Sequence, residues 1–245
     1  MDRKYRRELI NIAHKLEAKK LVAGSWGNIS VKFTDEMVVP TIAEDDLLTV
    51  FGKTSSVKRV PVEAILITPS GLGYENLQDD DLVLLDTQGK VLEGKHVPSS
   101  ESKLHTAIYE ACPEARAIIH THSIYASALA AMHKPVPAII EDLVQIIGGR
   151  VQCAEYALPG TQELADNAVK ALQGKKACLL ANHGAVAWGK TLPEALMVAE
   201  ILEKTAQIAI ICMQAGEAIE LTQEDADVMH SFYIEHYGKR QRGEE

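Results

Sequence analysis

The sequence predicts an α/β fold in which helices pack on a largely antiparallel sheet. Apolar residues recur three and four positions apart in several stretches, which is typical of amphipathic helices. Short apolar runs bounded by Gly, Pro and Ser predict strands between them. Two such runs, 82–86 and 90–93, flank Thr87-Gln88-Gly89 and predict a β-hairpin, in which neighbouring strands are antiparallel.

The N-terminal part combines one helix with two strands. Helical spacing of apolar residues predicts a helix over 3–20, and a Gly-rich turn follows it. Period-two alternation over 29–33 and an apolar run over 64–68 predict two strands. We interpret the intervening 38–62 segment, which carries acidic and basic clusters, as an extra loop or hairpin excursion from the sheet.

The remaining elements alternate between helices and strands, and Ser or Thr marks most of the helix starts. They are a helix at 101–111 with a Ser N-cap, a strand at 115–122, a helix from Thr161 to Leu172, strands at 176–181 and from Ala185, a long helix from the capping box at Thr191-Leu192-Pro193-Glu194 to about Ala215, and a last helix from Thr222 to Tyr237.

The composition is that of a globular protein with a large core. Hydrophobic residues make up 47% of the 245 residues and charged residues 24%. We therefore expect 1–245 to form one domain, with a flexible tail at 239–245. The net charge of −9 disfavours binding to a nucleic-acid backbone, so no nucleic-acid partner is expected.

Cysteine spacing and the N-terminus indicate the compartment. The four cysteines lie far apart with no C-x-x-C pair, as in proteins that keep reduced thiols. The chain starts directly with an amphipathic pattern, and no apolar run reaches membrane-spanning length. We expect a cytoplasmic protein with no membrane partner.

Three histidines and a glutamate are candidate metal ligands. His120 and His122 are two apart on a predicted strand, so both imidazoles can face one ion such as Zn²⁺. His183 lies in a turn between two apolar strands and can supply a third ligand, although a surface turn histidine fits equally. Glu101 begins a helix, where a carboxylate is also favoured by the macrodipole alone. His105 is interpreted as a helix-surface or core histidine.

A second set of residues suits an anion. Small hydroxyl, amide and glycine positions occupy three turns or helix starts, where N–H groups and hydroxyls can surround an anion without a lysine. Each also has an ordinary explanation as turn or capping chemistry. They are Ser25, Asn28, Ser70, Gly71, Ser99 and Ser100.

The ordered motifs resemble the class II aldolase and adducin family, and within it the L-fuculose-1-phosphate aldolases. The resemblance covers nearly the whole chain, and the set of motifs is more specific than any one of them. The motifs are Gly24-Ser25-Trp26-Gly27-Asn28-Ile29-Ser30, Ile67-Thr68-Pro69-Ser70-Gly71, Pro98-Ser99-Ser100-Glu101, His120-Thr121-His122, Asn182-His183-Gly184 and Tyr237-Gly238.

The resemblance implies an architecture and a site. It implies three α/β/α layers around a mixed, mostly antiparallel sheet, and a homotetramer with active sites at subunit interfaces. It makes His120, His122 and His183 ligands of one Zn²⁺ per subunit, with Mn²⁺, Co²⁺ or Fe²⁺ as alternatives. Glu101 would alternate between metal ligand and general base. The six anion-site residues would hold the phosphate of a sugar-phosphate substrate.

The implied reaction is reversible cleavage of a ketose 1-phosphate to dihydroxyacetone phosphate and an aldehyde, through a metal-stabilised enediolate. Tyr237 would reach the site of a neighbouring subunit as a proton donor or orienter. A second family tyrosine, expected shortly after Pro137-Ala138, is replaced by Ile139-Ile140-Glu141-Asp142. We assign Glu141, or Asp142 beside it, as the substitute acid.

That replacement keeps other reactions open. A dehydratase of the methylthioribulose-1-phosphate type, a 4-epimerase and a decarboxylase would use the same metal site. Epimerases of the family tend to carry Asp at the position of Glu101, which disfavours epimerisation. An adducin-like interaction module is disfavoured because such domains are expected to lack the metal-binding histidines.

Overall fold

The computed structural model describes residues 2–40 and 57–238, and within these residues one mixed sheet of eight strands forms the centre of the fold. The strand order is β4-β3-β2-β1-β5-β8-β7-β6, and only the β6–β7 pair is parallel. The strands are β1 (Asn28–Pro40), β2 (Val57–Ile67), β3 (Val83–Asp86), β4 (Val91–Glu93), β5 (Ala117–Thr121), β6 (Cys153–Ala154), β7 (Ala177–Leu180) and β8 (Gly184–Gly189).

In the described part of the chain, seven α-helices cover the two faces of this sheet. Short 3₁₀ turns occupy Tyr74–Asn76 and Asp79–Asp81, and a π-helical turn at Tyr233–Tyr237 continues the last helix. The helices are α1 (Asp2–Ala18), α2 (Ser102–Ala111), α3 (Ile124–Ala131), α4 (Glu141–Ile147), α5 (Gln162–Leu172), α6 (Leu192–Ala215) and α7 (Gln223–Phe232).

The core is divided by the sheet into two apolar layers. Successive strand residues point to opposite faces, so Ile119 joins the layer with α1, α3, α4, α6 and α7, whereas Ile118 joins the layer with α2 and α5. The predicted α/β/α arrangement with a mostly antiparallel sheet is therefore confirmed.

Threonine caps position three of the helices as predicted. The hydroxyls of Thr161, Thr191 and Thr222 each accept a hydrogen bond from the backbone N–H of the third residue of the following helix, in α5, α6 and α7 respectively. At α6 the predicted capping box is only half formed. The Glu194 carboxylate accepts from the Lys190 N–H and from the buried Lys176 ammonium instead.

Four details of the sequence prediction need correction. The predicted Ser N-cap of α2 is wrong, because Glu101 occupies that position without a side-chain cap. Helices α3 and α4 and the short strand β6 have no predicted counterpart. The strand expected over 115–122 ends at Thr121. The last helix changes to π-helical geometry at Tyr233.

The excursion predicted for 38–62 begins as a continuation of two long strands. β1 and β2 pair antiparallel from Ser30 opposite Ile67 to Pro40 opposite Val57. The middle of the excursion, 41–56, and the tail predicted to be flexible, 239–245, lie outside the described residues.

The four cysteines, Cys112, Cys153, Cys178 and Cys212, are all free thiols. Within 2–40 and 57–238, no helix combines the length and apolarity that crossing a lipid bilayer requires.

Candidate metal and substrate site

Three histidines meet where the central strand β5 ends. His120 lies inside β5, between β1 and β8, and its side chain is fully buried. His122 follows the end of β5, and its N–H donates to Leu21 O. His183 lies in the tight turn between β7 and β8. Pairing of β8 with β5, with Ala185 opposite Thr121, brings this turn beside His122.

The three imidazoles converge on one point. One ring nitrogen of each histidine lies within 4.8 Å of the corresponding atom of the other two. The His120 and His122 Nε2 atoms are 2.9 Å apart, and the three ring centroids are 4.7 to 4.9 Å apart. The predicted grouping of these histidines is thus present in the fold.

Glu101 belongs to the same cluster. Its side chain is buried, with Oε2 3.2 Å from His120 Nε2 and Oε1 3.5 Å from His183 Nε2. The Asn28 amide donates to Oε2 over 2.9 Å. A carboxylate serving only the helix macrodipole would face solvent or the free N–H groups of α2, so the dipole alone does not explain this placement.

Burial keeps the histidine rings available as ligands. Desolvation lowers the pKa of His120 well below its ordinary value, helped by the nearby His183 and His122, and desolvation also lowers the pKa of His122. His120 Nδ1 lies 3.0 Å from Ala185 O, a distance that suits N–H donation. That bond leaves the lone pair on Nε2, which faces the cluster.

The donor set fits a divalent transition metal. Three neutral imidazoles and a carboxylate are the ligand types that zinc prefers. Glu101 Oε1 is buried without a hydrogen-bond partner, which is costly unless another group satisfies it. A cation bound among the three rings would supply that partner. The chemistry of these side chains therefore supports a metal site.

All six predicted anion-site residues line one cleft beside the histidines. The cleft has a volume of about 240 Å³ and also includes Glu101, His122 and His183 among its lining residues. The predicted set is Ser25, Asn28, Ser70, Gly71, Ser99 and Ser100. Hydroxyls and glycine backbone thus surround the entrance to the histidine cluster.

Hydrogen bonds within the walls limit which groups remain for a ligand. The Ser70 N–H donates to Val97 O over 2.9 Å, so its hydroxyl is the donor left at that residue. The Ser99 N–H donates to Thr68 O, and its hydroxyl accepts the Glu101 N–H over 3.3 Å. Ser99 therefore also holds the backbone that carries Glu101.

Gly184 and Gly27 allow their backbone segments to lie close to strand β5 at the site. A Cβ at Gly184 would lie 2.2 Å from Thr121 O, and one at Gly27 would lie 2.9 Å from His120 O. Gly27 also has a φ of +104°, which favours glycine. Both glycines belong to motifs that the sequence analysis singled out, and their small size brings His183 and Asn28 next to β5.

Two of the predicted catalytic residues lie outside the cleft. Glu141, in the first turn of α4, and Tyr237, in the π-helical turn, are exposed and do not line the cleft. Their catalytic roles stay predictions.

Trp26 lines the cleft and lies with its ring centroid 5.8 Å from that of His122. His105 is a core residue beneath the cleft, with both ring nitrogens bonded.

Comparison with known proteins agrees with this geometry. The sequence profile of the class II aldolase and adducin N-terminal domain matches residues 7–210. An L-fuculose phosphate aldolase of Escherichia coli O6:H1 is 31% identical over 239 residues, which cover 97% of each chain. A 5-deoxy-D-ribulose 1-phosphate aldolase of Bacillus thuringiensis is 31% identical over 237 residues, covering 97% of this chain and 98% of the relative.

A solved structure extends the likeness to the fold. An L-fuculose 1-phosphate aldolase superposes with a TM-score of 0.78 at 33% identity, covering 94% of this chain and 95% of that one. These relatives indicate an enzyme of the aldehyde-lyase class. The chain belongs to the class II aldolase and adducin family.

Proposed function

We propose that this protein is a zinc-dependent aldolase that reversibly cleaves a ketose 1-phosphate to dihydroxyacetone phosphate and an aldehyde. One observation carries the proposal: three imidazoles and a buried glutamate meet at the base of a cleft lined by His122, His183, Glu101, hydroxyls and glycine backbone, with His120 buried behind them. The curated relatives described above bear names of ketose-1-phosphate aldolases, which supports the same substrate class.

His120, His122 and His183 would hold the metal, and Glu101 would be its exchangeable fourth ligand. When bound, a divalent ion supplies a Lewis acid that polarises a carbonyl oxygen and stabilises negative charge next to it. Because the metal ion would stabilise the negative charge, this cleavage needs no lysine that forms a Schiff base with the ketose. We assign zinc because neutral histidines dominate the donor set, with Mn²⁺, Co²⁺ and Fe²⁺ as the alternatives.

Glu101 is the proposed acid and base. Cleavage breaks the bond between C3 and C4 of the ketose, leaves the electron pair on C3 and turns the C4 alcohol into the aldehyde carbonyl. In the synthesis direction Glu101 takes a proton from C3 of dihydroxyacetone phosphate, the electron pair on C3 forms the bond to the aldehyde carbon, and the aldehyde oxygen gains a proton. Cleavage runs these steps in reverse, so the proton held by Glu101 returns to C3, and exchange with solvent restores both acid–base groups. Oε2 is held by Asn28, so we assign the moving proton to Oε1, the oxygen without a partner.

The phosphate is assigned to the hydroxyl wall of the cleft. Ser25, Ser70 and Ser100 present short donors there, and Gly71 lets the backbone approach a ligand with no Cβ in the way. Ser99 and Asn28 would contribute while also holding Glu101. Binding by neutral donors in a fixed arrangement selects by geometry, because no mobile lysine can adapt.

The aldehyde oxygen, which becomes the C4 hydroxyl, needs its own proton in the synthesis direction. We assign Tyr237 of a neighbouring subunit in a homotetramer as the proton donor or orienter at this oxygen, since Tyr237 is 53% exposed and lies outside the lining of its own cleft. Glu141 is the second proposed acid, in place of the missing tyrosine. Its exposed position at the start of α4 also directs it away from its own cleft.

Product analysis tests the reaction. The purified metal-loaded protein is incubated with L-fuculose 1-phosphate, 5-deoxy-D-ribulose 1-phosphate and 5-methylthioribulose 1-phosphate, and dihydroxyacetone phosphate is measured with a coupled dehydrogenase. We expect release of dihydroxyacetone phosphate from at least one of them. A His120→Ala preparation purified in parallel reports any contaminating aldolase.

The same incubation separates the alternative reactions. Mass spectrometry that finds loss of water without dihydroxyacetone phosphate would replace the aldolase by a dehydratase. That reaction is the second candidate, because Glu141 and Asp142 stand where the family tyrosine is expected. An epimerised sugar phosphate of unchanged mass would point to epimerisation instead.

A further inference from the structure

A buried chain of hydrogen bonds runs from helix α2 to Glu101. His105 is fully buried, with Nε2 2.5 Å from Asn28 Oδ1 and Nδ1 2.6 Å from Ser30 Oγ. Asn28 Nδ2 lies 2.9 Å from Glu101 Oε2, and Ser30 Oγ lies 2.8 Å from the Tyr109 hydroxyl. Asn28 and Ser30 are on β1, whereas His105 and Tyr109 are one turn apart on α2.

The donors in this chain can be assigned by elimination. Asn28 presents its NH₂ group to Glu101 Oε2 and its oxygen to His105, so the amide donates to Glu101 and accepts from His105. His105 must then donate from Nε2 and accept at Nδ1, so Ser30 donates to Nδ1. The single Ser30 proton is thereby used, so the Tyr109 hydroxyl donates to Ser30 over 2.8 Å, a shorter contact than its 3.5 Å approach to Arg116 O. Every donor points toward Glu101.

Burial keeps the side chains of this hydrogen-bond chain uncharged. Burial lowers the pKa of His105 to about 3, and burial raises the pKa of Tyr109 far above its ordinary value. Neutral groups bonded in one direction polarise each other and strengthen the last bond of the chain, which is the one to the carboxylate. A histidine that merely fills the core would need two partners, but not a uniform direction that ends at Glu101.

We propose that His105 is a positioning residue that sets the orientation of the Asn28 amide and, through it, holds Glu101 Oε2 in place. Oε1 is then the oxygen left to carry the proton. The proposal rests on the proposed function only for the acid–base role of Glu101. Ser30 and Tyr109 support His105 from the other side, so their removal has a smaller effect than removal of His105.

Two His105 variants with a matched control test this role. His105→Leu fills the space but cannot donate to Asn28, whereas His105→Gln keeps one N–H donor. We expect His105→Leu to lower kcat about 30-fold with KM within about threefold, inside the range that mispositioning by about 1 Å can cause. His105→Gln should recover most of that loss, to within about fivefold of wild type.

Ile108→Val on the same buried face of α2 is the control for a general packing defect. It should lower Tm while leaving kcat unchanged, because Ile108 belongs to the apolar layer and not to the hydrogen-bond chain. A kcat of His105→Leu within twofold of wild type would overturn the proposal. Equal losses for Leu and Gln at position 105 would also overturn it.

A measurement without turnover tests the direction of the chain. In metal-free protein labelled with ¹⁵N-histidine, His105 should be protonated at Nε2, with its signals identified by their loss in His105→Gln. Ser30→Ala should shift the Nδ1 resonance, because it removes the donor to that nitrogen. A proton on Nδ1 of His105 would refute the assigned direction. This result is independent of substrate, so absence of aldolase activity in wild type would sink the proposed function alone.

Discussion

At the scale of single residues, the site combines groups that are buried yet polar. His120 and Glu101 are both buried, and each has a hydrogen-bond partner that offsets the cost of burial. The partner of His120 is Ala185 O, and the partner of Glu101 is the Asn28 amide. Buried polar side chains with converging free atoms are costly to maintain, and they mark functional sites.

The first prediction concerns the metal. His120→Ala removes a ligand at the centre of the cluster, so bound divalent metal should fall from about one per chain to near zero. Elemental analysis of dialysed protein measures this, and activity should be lost with the metal. His14→Ala, an exposed histidine on α1, is the control that should keep its metal. Wild-type protein without divalent metal would contradict the assignment.

The second prediction concerns the proton. Glu101→Gln keeps the size of the side chain but cannot carry a proton on Oε1, so kcat should fall at least about 100-fold. Metal content should stay near the wild-type level because the three histidines remain. Glu110→Gln, an exposed glutamate on the same helix, should leave turnover unchanged. Full activity of Glu101→Gln would assign the base elsewhere.

The third prediction concerns the phosphate. Ser70→Asp adds a carboxylate to the hydroxyl wall, so it should weaken binding of a phosphorylated ligand at least about tenfold by charge repulsion. The fold should remain, because Ser70 is exposed and its N–H, not its side chain, bonds Val97. Isothermal titration with dihydroxyacetone phosphate measures the effect. Equal affinities of wild type and variant would place the phosphate elsewhere.

Among the secondary-structure elements, the site depends on how closely strands β1, β5 and β8 and the turn between β7 and β8 pack against one another. β5 lies between β1 and β8, and its end sets the positions of His120 and His122. Glu101 is the N-cap residue of helix α2, and this helix packs on the face of the sheet to which the side chain of Asn28 points. A small displacement of β8 would therefore move His183 away from its two partners.

The fourth prediction tests this approach. Gly184→Ala would put a Cβ 2.2 Å from Thr121 O, so β8 must shift away from β5. We expect loss of metal and a Tm lowered by several degrees, since overpacking a core costs about 1 to 3 kcal/mol. Gly73→Ala is the matched control, because no atom lies within 4 Å of its added Cβ. Equal metal content and Tm in both variants would show that the contact is easily relieved.

At the scale of the whole molecule, the C-terminal region presents apolar side chains to solvent. Ile219, Val228 and Phe232 are 91, 65 and 60% exposed. Apolar side chains exposed in one region are typical of an interaction surface. Tyr237 follows in the same region, which accords with the proposed homotetramer and shared active sites.

The fifth prediction tests the assembly. Light scattering after size exclusion should give the mass of four 26.8 kDa chains. Co-expression of His120→Ala with Tyr237→Phe, each with its own tag, should give doubly purified hybrids that are more active than either parent. Intact sites then form where one chain provides the histidines and another provides Tyr237. Hybrids as inactive as both parents would contradict shared sites, and a monomer would contradict the assembly.

Most of the helices and strands, and the residue types of the candidate site, could be predicted from local patterns in the sequence. Helix caps at Thr161, Thr191 and Thr222 were predictable because capping is local chemistry, and β5 was predictable from its apolar run. Helix α3 was not, since it is apolar on all sides and lacks the amphipathic pattern. Helix α4 spans only Glu141–Ile147, which is too short to give a clear period.

The contacts between these distant residues became visible in the folded structure alone. Glu101 at a helix start and His105 one turn later have ordinary local explanations, and nothing in their spacing shows that one faces two histidines and the other supports it through Asn28. The contacts of Glu101 with His183 and Asn28, and of His105 with Asn28, join residues more than 70 positions apart, so they depend on how the strands and α2 pack together. Local sequence determines local conformation, whereas convergence of distant side chains is set by packing of the whole core.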